Sequence, residues 1–129
     1  MTLFGRRVLF SSPKPCDVLI FDECNSQYVR RVINKKYSIS VFNMRPEDVF
    51  FGTGIITQFI KELLRFNLRE VKLHHRGFFY GVIKQVYYRY LKACLESIKP
   101  KAVITFIDNS SAFGWLAKHC DNFSFIAVQ

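Results

Sequence analysis

Four apolar runs in this chain each break off in polar residues. Val18-Leu19-Ile20-Phe21 leads into Asp22-Glu23, and Ile39-Ser40-Val41-Phe42 leads into Asn43-Met44-Arg45. Ala102-Val103-Ile104-Thr105-Phe106-Ile107 leads into Asp108-Asn109-Ser110-Ser111, and Phe125-Ile126-Ala127-Val128 leads into Gln129. Short β-branched and aromatic runs separated by helical patterns read as buried parallel strands. An open α/β sheet of that kind binds ligands beyond the carboxyl ends of its strands, where the strand order reverses. The polar residues after each run therefore mark one edge as the place to look for chemistry.

The intervening segments carry the helical period. Residues 25–35 place Tyr28, Val29, Val32 and Ile33 on one side, and 54–66 repeat Ile55, Ile56, Phe59, Ile60, Leu63 and Leu64. A long helix over about 78–98 presents a broad apolar face from Phe79 and Ile83 to Tyr90, Cys94 and Ile98, and Pro100 stops it. A further helix fits 111–119. Strands fall at 17–22, 38–43, 101–107 and 123–129, with Val8-Leu9-Phe10 as an extra edge strand and Arg45-Pro46-Glu47-Asp48 as a turn. The alternation predicts an α/β fold: a Rossmann-like open parallel sheet of four to five strands flanked by helices, with residues 1–129 as a single domain. The sequence closes on a strand with no helix after it, so we expect this domain to be the amino-terminal half of a two-domain protein.

Composition narrows the partners. Half the residues are hydrophobic and 14 are Phe, which excludes a disordered chain. The net charge of +9 favours anionic partners, whether phosphorylated sugars, nucleic acid or an acidic membrane face. No stretch approaches the roughly 18 apolar residues of a membrane span, and Met1–Phe10 lacks the apolar core of a secretory signal. Any membrane contact is expected to be peripheral, at the inner face. Cys16, Cys24, Cys94 and Cys120 form no C-x-x-C pair and match no zinc spacing, so reduced thiols in a cytoplasmic protein are expected.

Recognised motifs are few. The turn after the first strand lacks the glycines of a dinucleotide fingerprint, and Gly52-Thr53-Gly54 reads as the tight entry to a helix. Asp22, Glu23 and Asp108 have the clustering of a Mg²⁺-dependent phosphotransfer site, but Cys24 stands where a phosphohydrolase would place its second Asp. No metal site is assigned. His74 and His75 are adjacent and point apart, which makes a poor metal pair. Arg45 can grip a carboxylate or phosphate in a bidentate pair, or else pair with Glu47 or Asp48. Tyr87 and Tyr90 fall on the apolar helix face, which favours core packing over base stacking and makes nucleic acid an unfavoured partner.

Residues 99–129, with Asp108-Asn109 after one strand and Gln129 after the next, resemble the amino-terminal half of bacterial surface-carbohydrate biosynthesis transferases. That family is similar in fold to GT-B glycosyltransferases, with two facing Rossmann-like domains and a cleft between them. The family's strand before the cleft ends in Q-N-G, of which this chain supplies only the Gln. The resemblance implies sugar transfer from a nucleotide-sugar donor held by a second, carboxyl-terminal domain to a glycan or lipid-linked saccharide acceptor. It implies no tightly bound cofactor in this domain and little activity from the 129 residues alone. Asp22, Glu23, Arg45, Asp108, Asn109, Ser110 and Gln129 would line the acceptor side, with Asp108 the candidate general base. Asp, Asn and Ser also favour turns and helix caps in their own right. A stand-alone binding or scaffold domain and a receiver-like phosphotransfer domain are the competing readings.

Overall fold

A computed structural model describes residues 2–3, 6–21, 26–42, 48–71, 77–106 and 110–128. The chain runs β1 (Thr2–Leu3), β2 (Arg6–Leu9), β3 (Val18–Ile20), α1 (Ser26–Val32), β4 (Ile39–Val41), β5 (Asp48–Phe50) and α2 (Thr53–Leu64). It continues through α3 (Phe78–Ile98), β6 (Ala102–Thr105), α4 (Ser111–His119) and β7 (Ser124–Ala127), with a 3₁₀ turn at Leu68–Glu70.

The main sheet has four strands in the order β4-β3-β6-β7, all parallel. Right-handed crossovers that leave β3 and β6 in opposite directions must put their helices on opposite faces. Burial follows that rule. Val18, Ile20 and Ile104 point to the α1 face, where they pack with Val29. Leu19, Phe21 and Val103 point the other way, into the larger core built with α3 and α4. This is the Rossmann-like α/β architecture expected from the sequence.

A second, three-stranded sheet, β1-β2-β5, was only partly foreseen. The extra strand at the amino terminus is present as β2. Asp48, the last residue of the turn read at 45–48, opens β5, which pairs parallel with β2 from Arg7↔Asp48 to Leu9↔Phe50. Arg45, Pro46 and Glu47 lie outside the described residues. Two basic residues open β2, and the ladder is fastened by a bidentate pair: Arg7 Nε donates to Asp48 Oδ1 (2.8 Å) and Nη2 to Oδ2 (3.2 Å). Both carboxylate oxygens of Asp48 are thus engaged by Arg7. Period-2 patterning cannot show a three-residue strand whose partner lies some forty residues earlier.

Helix α3 is the spine. It is buried along Tyr88, Leu91, Cys94, Leu95 and Ile98 and ends at Lys99, which takes the left-handed conformation (φ 53°) usually filled by glycine. That conformation costs a side-chain-bearing residue about 1 kcal/mol or more. The entry to α2 is tight for a different reason. A Cβ on Gly52 would fall 2.8 Å from the backbone nitrogen of Ser12, so only glycine lets the helix start approach the amino-terminal segment.

Two predicted apolar faces are less covered than their patterns suggest. On α1 only Val29 is buried, while Tyr28 and Val32 stand exposed, because a seven-residue helix meets the sheet over a single turn. On α2 only Ile55 is buried, because that helix packs chiefly on α3 rather than on a sheet.

Candidate functional site

The order β4-β3-β6-β7 reverses between β3 and β6, so the switch point of this sheet lies between those two strands. Pairing holds up to the carboxyl ends. Phe42 N donates to Ile20 O (2.7 Å), Phe21 N to Ile104 O (2.8 Å) and Val128 N to Thr105 O (2.9 Å). Parallel strands with ends in register bring the chain out at one edge after Phe21, Phe42, Phe106 and Val128. Beneath that edge lies an aromatic floor. Phe21 meets Phe113 at 5.9 Å between ring centroids, and Phe113 meets Phe125 edge-on at 5.4 Å. Rings in such tilted arrangements gain about 0.5–1.5 kcal/mol each beyond their burial.

Of the residues assigned to this edge from sequence, Ser110 is the one within the described residues. It is the N-cap of α4: its hydroxyl accepts from Phe113 N at 3.2 Å. Its neighbour Ser111 does something else, sharing a 2.7 Å hydrogen bond with the buried Tyr88 hydroxyl and tying α4 to α3. Because α4 follows β6, its amino end opens at the carboxyl edge of the sheet, where first-turn N–H groups and the helix dipole favour negative or hydroxyl-rich ligands. Asp22, Glu23, Arg45, Asp108, Asn109 and Gln129 lie outside the described residues, as do Cys24, His74 and His75. Among the described residues, no three His, Cys, Asp or Glu side chains gather as a metal would require.

The chain has no match among protein-family models, curated proteins or solved structures.

The amino edge of the sheet carries a polar cluster that the sequence reading did not single out. Asp17 sits at the start of β3, and its carboxylate takes Lys101 Nζ (2.8 Å), Ser38 N (2.9 Å) and Ser38 Oγ (2.8 Å). The backbone reciprocates: Asp17 N donates to Ser38 Oγ (2.9 Å), and Lys101 N donates to Asp17 O (2.8 Å). The cluster pins together the residues that immediately precede β3, β4 and β6. An open cavity of about 440 Å³ adjoins it, lined by Pro15, Cys16, Asp17, Ser38, Ser97 and Lys99 among others. Its carboxylate is already saturated by protein donors, so the cluster is built as a clasp rather than as an acid or base. The missed signal was the short spacing from Asp17 to the first strand and from Lys101 to the third, which is invisible until the strand order is known.

The Lys101 ammonium and then the Ser38 donors hold the Asp17 carboxyl well below the usual carboxylate range. A group with a depressed folded pKa contributes stability above its unfolded value, near 3.9, and loses it as pH falls further. We therefore expect Asp17→Asn to flatten the acid limb of the stability–pH curve below about pH 4, as measured by urea unfolding at a series of pH values. An acid limb identical to that of the parent protein would mean the clasp is not formed in solution.

Sequence reading also missed Arg89, which is buried although it is charged. Its guanidinium lies 4.5 Å from the Phe66 ring centroid and 5.3 Å from that of Trp115, and Nη1 donates to Gln85 Oε1 at 2.9 Å. Arginine tolerates this because its flat, weakly hydrated head stacks on aromatic faces. Tyr90 is buried on α3 and Tyr87 is partly buried against the same core, in line with the packing role read for that pair. Tyr88, outside the apolar face read from the sequence, is buried as well. Among the described residues, Cys16, Cys94 and Cys120 are free and buried. Burial pushes Cys94 and Cys120 up to about 12, where neither is a nucleophile near neutral pH.

Proposed function

We propose that this chain is the acceptor-side domain of a glycosyltransferase in bacterial surface-polysaccharide assembly. The observation that supports the reading is the reversal of strand order between β3 and β6. The first polar residues in sequence after those two strands, past Phe21 and past Phe106-Ile107, are Asp22-Glu23 and Asp108-Asn109. Carboxylates and amides at such an edge suit a ligand rich in hydroxyl groups, which they orient by accepting and donating hydrogen bonds. The amino end of α4, capped by Ser110, adds a positive dipole end on the same side. In this reading Asp108 takes the proton from the acceptor hydroxyl as its oxygen bonds to the anomeric carbon of the donor sugar, whose bond to the nucleoside diphosphate breaks, the diphosphate leaving with the electron pair. Asp22, Glu23, Arg45, Asn109 and Gln129 bind the acceptor saccharide, and the nucleotide-sugar donor belongs to a second domain.

A direct test is binding of the 129-residue chain to an array of bacterial capsular and O-antigen oligosaccharides, with UDP and acetyl phosphate as competing probes. The expected result is saturable oligosaccharide binding that weakens at least about tenfold in Asp108→Ala, as loss of a charged hydrogen-bond partner would produce. Tight binding of UDP by this chain alone would overturn the acceptor-side assignment. Mg²⁺-dependent phosphorylation of an Asp by acetyl phosphate would replace sugar transfer with phosphotransfer.

A further inference from the structure

Helix α2 carries an apolar stripe that none of the described residues covers. Ile56, Ile60 and Leu64 repeat at four-residue spacing, and their exposure rises from 38% through 51% to 82% along the helix. Helix α3 repeats the pattern. The face that meets α2 at Tyr90, where the Phe59 ring packs edge-on at 5.9 Å, runs on toward its amino end through Ile83 and Phe79. There it emerges from the seam, with Phe79 82% exposed and Ile83 65%. Large aliphatic and aromatic side chains exposed on successive turns of two packed helices mark an interaction surface rather than scattered surface residues.

The charges beside the stripe indicate what would cover it. Lys61 and Arg65 are exposed, one turn apart, and Lys61 lies three residues from Leu64 on the neighbouring flank. Arg69, in the 3₁₀ turn that follows, is exposed as well. The acid in this part of α2, Glu62, is drawn into the α2–α3 seam by Lys92, Nζ to Oε1 3.0 Å, and among the described residues Arg65 reaches it from outside at 3.6 Å. An apolar band bordered by cations needs a partner that is both hydrocarbon and anionic. A second copy of this chain, itself carrying +9, is disfavoured by charge. An anionic bilayer supplies both parts: the side chains of α2 over roughly 12 Å of helix enter the acyl boundary, and Lys61, Arg65 and Arg69 reach up to lipid phosphates.

We propose that the Ile56–Ile60–Leu64 stripe of α2, with Phe79 and Ile83 of α3, docks this domain on an anionic membrane surface. This inference is independent of the sugar-transfer reading. It fits the absence, among the described residues, of any helix long and apolar enough to cross a bilayer, because the contact is made in the plane of the interface.

The test is co-sedimentation of the 129-residue chain with vesicles of pure phosphatidylcholine and of equimolar phosphatidylglycerol and phosphatidylcholine. We expect binding to the mixed vesicles, reduced by added salt, and little binding to phosphatidylcholine alone. The double variant Leu64→Gln, Phe79→Gln changes two exposed side chains, so its circular dichroism and melting should match the parent while its vesicle affinity falls about tenfold or more. No binding to mixed vesicles would overturn the proposal. So would binding that the double variant leaves unchanged, which would place the contact on charge elsewhere. A dimer in light scattering that the same variant dissolves would assign the stripe to a second copy instead.

Discussion

Tyr90→Ala is expected to lower stability by about 3–5 kcal/mol, the range for removing a buried aromatic ring, and to loosen the small sheet before the large one. Tyr90 is 8% exposed and packs between Phe59 and Phe51. Its hydroxyl accepts from Phe50 N at 2.9 Å and donates to Phe50 O at 3.3 Å. Phe50 lies on β5, the edge strand of its sheet, and the following amide, Phe51 N, is used inward on Leu9 O. The Phe50 groups therefore face outward, where a further strand would pair, and one tyrosine hydroxyl takes that strand's place. Tyr90→Phe keeps the ring but leaves those groups without the hydroxyl, at a cost of about 1–3 kcal/mol. Urea unfolding measures both costs, and amide exchange at residues 48–51 reports the loosening. Parent-like stability of Tyr90→Phe would show that Phe50 does not depend on the hydroxyl.

The same residue gives an alkaline signature. Burial pushes the Tyr90 phenol well above its ordinary value. A raised folded pKa means stability that is fully present below the unfolded value, near 10, and lost as pH climbs past it. In Tyr90→Phe that part of the alkaline loss disappears. The decline that begins lower, near the ordinary thiol value of about 8.5, remains from Cys94 and Cys120, whose thiols burial also raises.

The difference between what the sequence revealed and what it hid follows from distance along the chain. The span of α3 and that of α4 could be read to the residue, because Pro100 and the Ser110-Ser111 pair are local signals beside a clear helical period. The four parallel strands were legible as apolar runs; β3 and β6 are covered on both faces and need no alternation, whereas β7 leaves Ile126 45% exposed. β5 was not, because its identity depends on β2 and on the Arg7–Asp48 pair, a contact with no local trace. The stripe on α2 was legible as apolar, but its exposure was not, since a helical period reports one apolar side and not what covers it. For the site, the sequence pointed to the carboxyl edge of a parallel sheet, and the strand order adds the reversal between β3 and β6. The clasp at the opposite edge stayed hidden because Asp17, Ser38 and Lys101 meet only through the crossover connections.

Phe21→Ala is the second large effect, and it tests whether the carboxyl edge depends on the floor beneath it. Phe21 has no exposed surface, follows β3 directly, and holds the edge twice: its amide bonds Ile104 O, and its ring supports Phe113 at the start of α4. Removing the ring leaves a cavity among Phe113, Leu19 and the sheet, at a cost of about 3–5 kcal/mol. A domain of this size has about 5–15 kcal/mol in total, so the variant should remain folded at low temperature but melt well below the parent. Phe21→Leu refills much of the space and should cost less, within about 1–3 kcal/mol. Comparing the pair separates stability from site. If the carboxyl edge binds saccharide, Phe21→Leu should weaken oligosaccharide binding by more than its modest loss of stability explains, because the amino end of α4 rests on Phe113 and would shift with it. If binding follows only the folded fraction in both variants, the floor supports the fold alone and the ligand-bearing surface lies elsewhere.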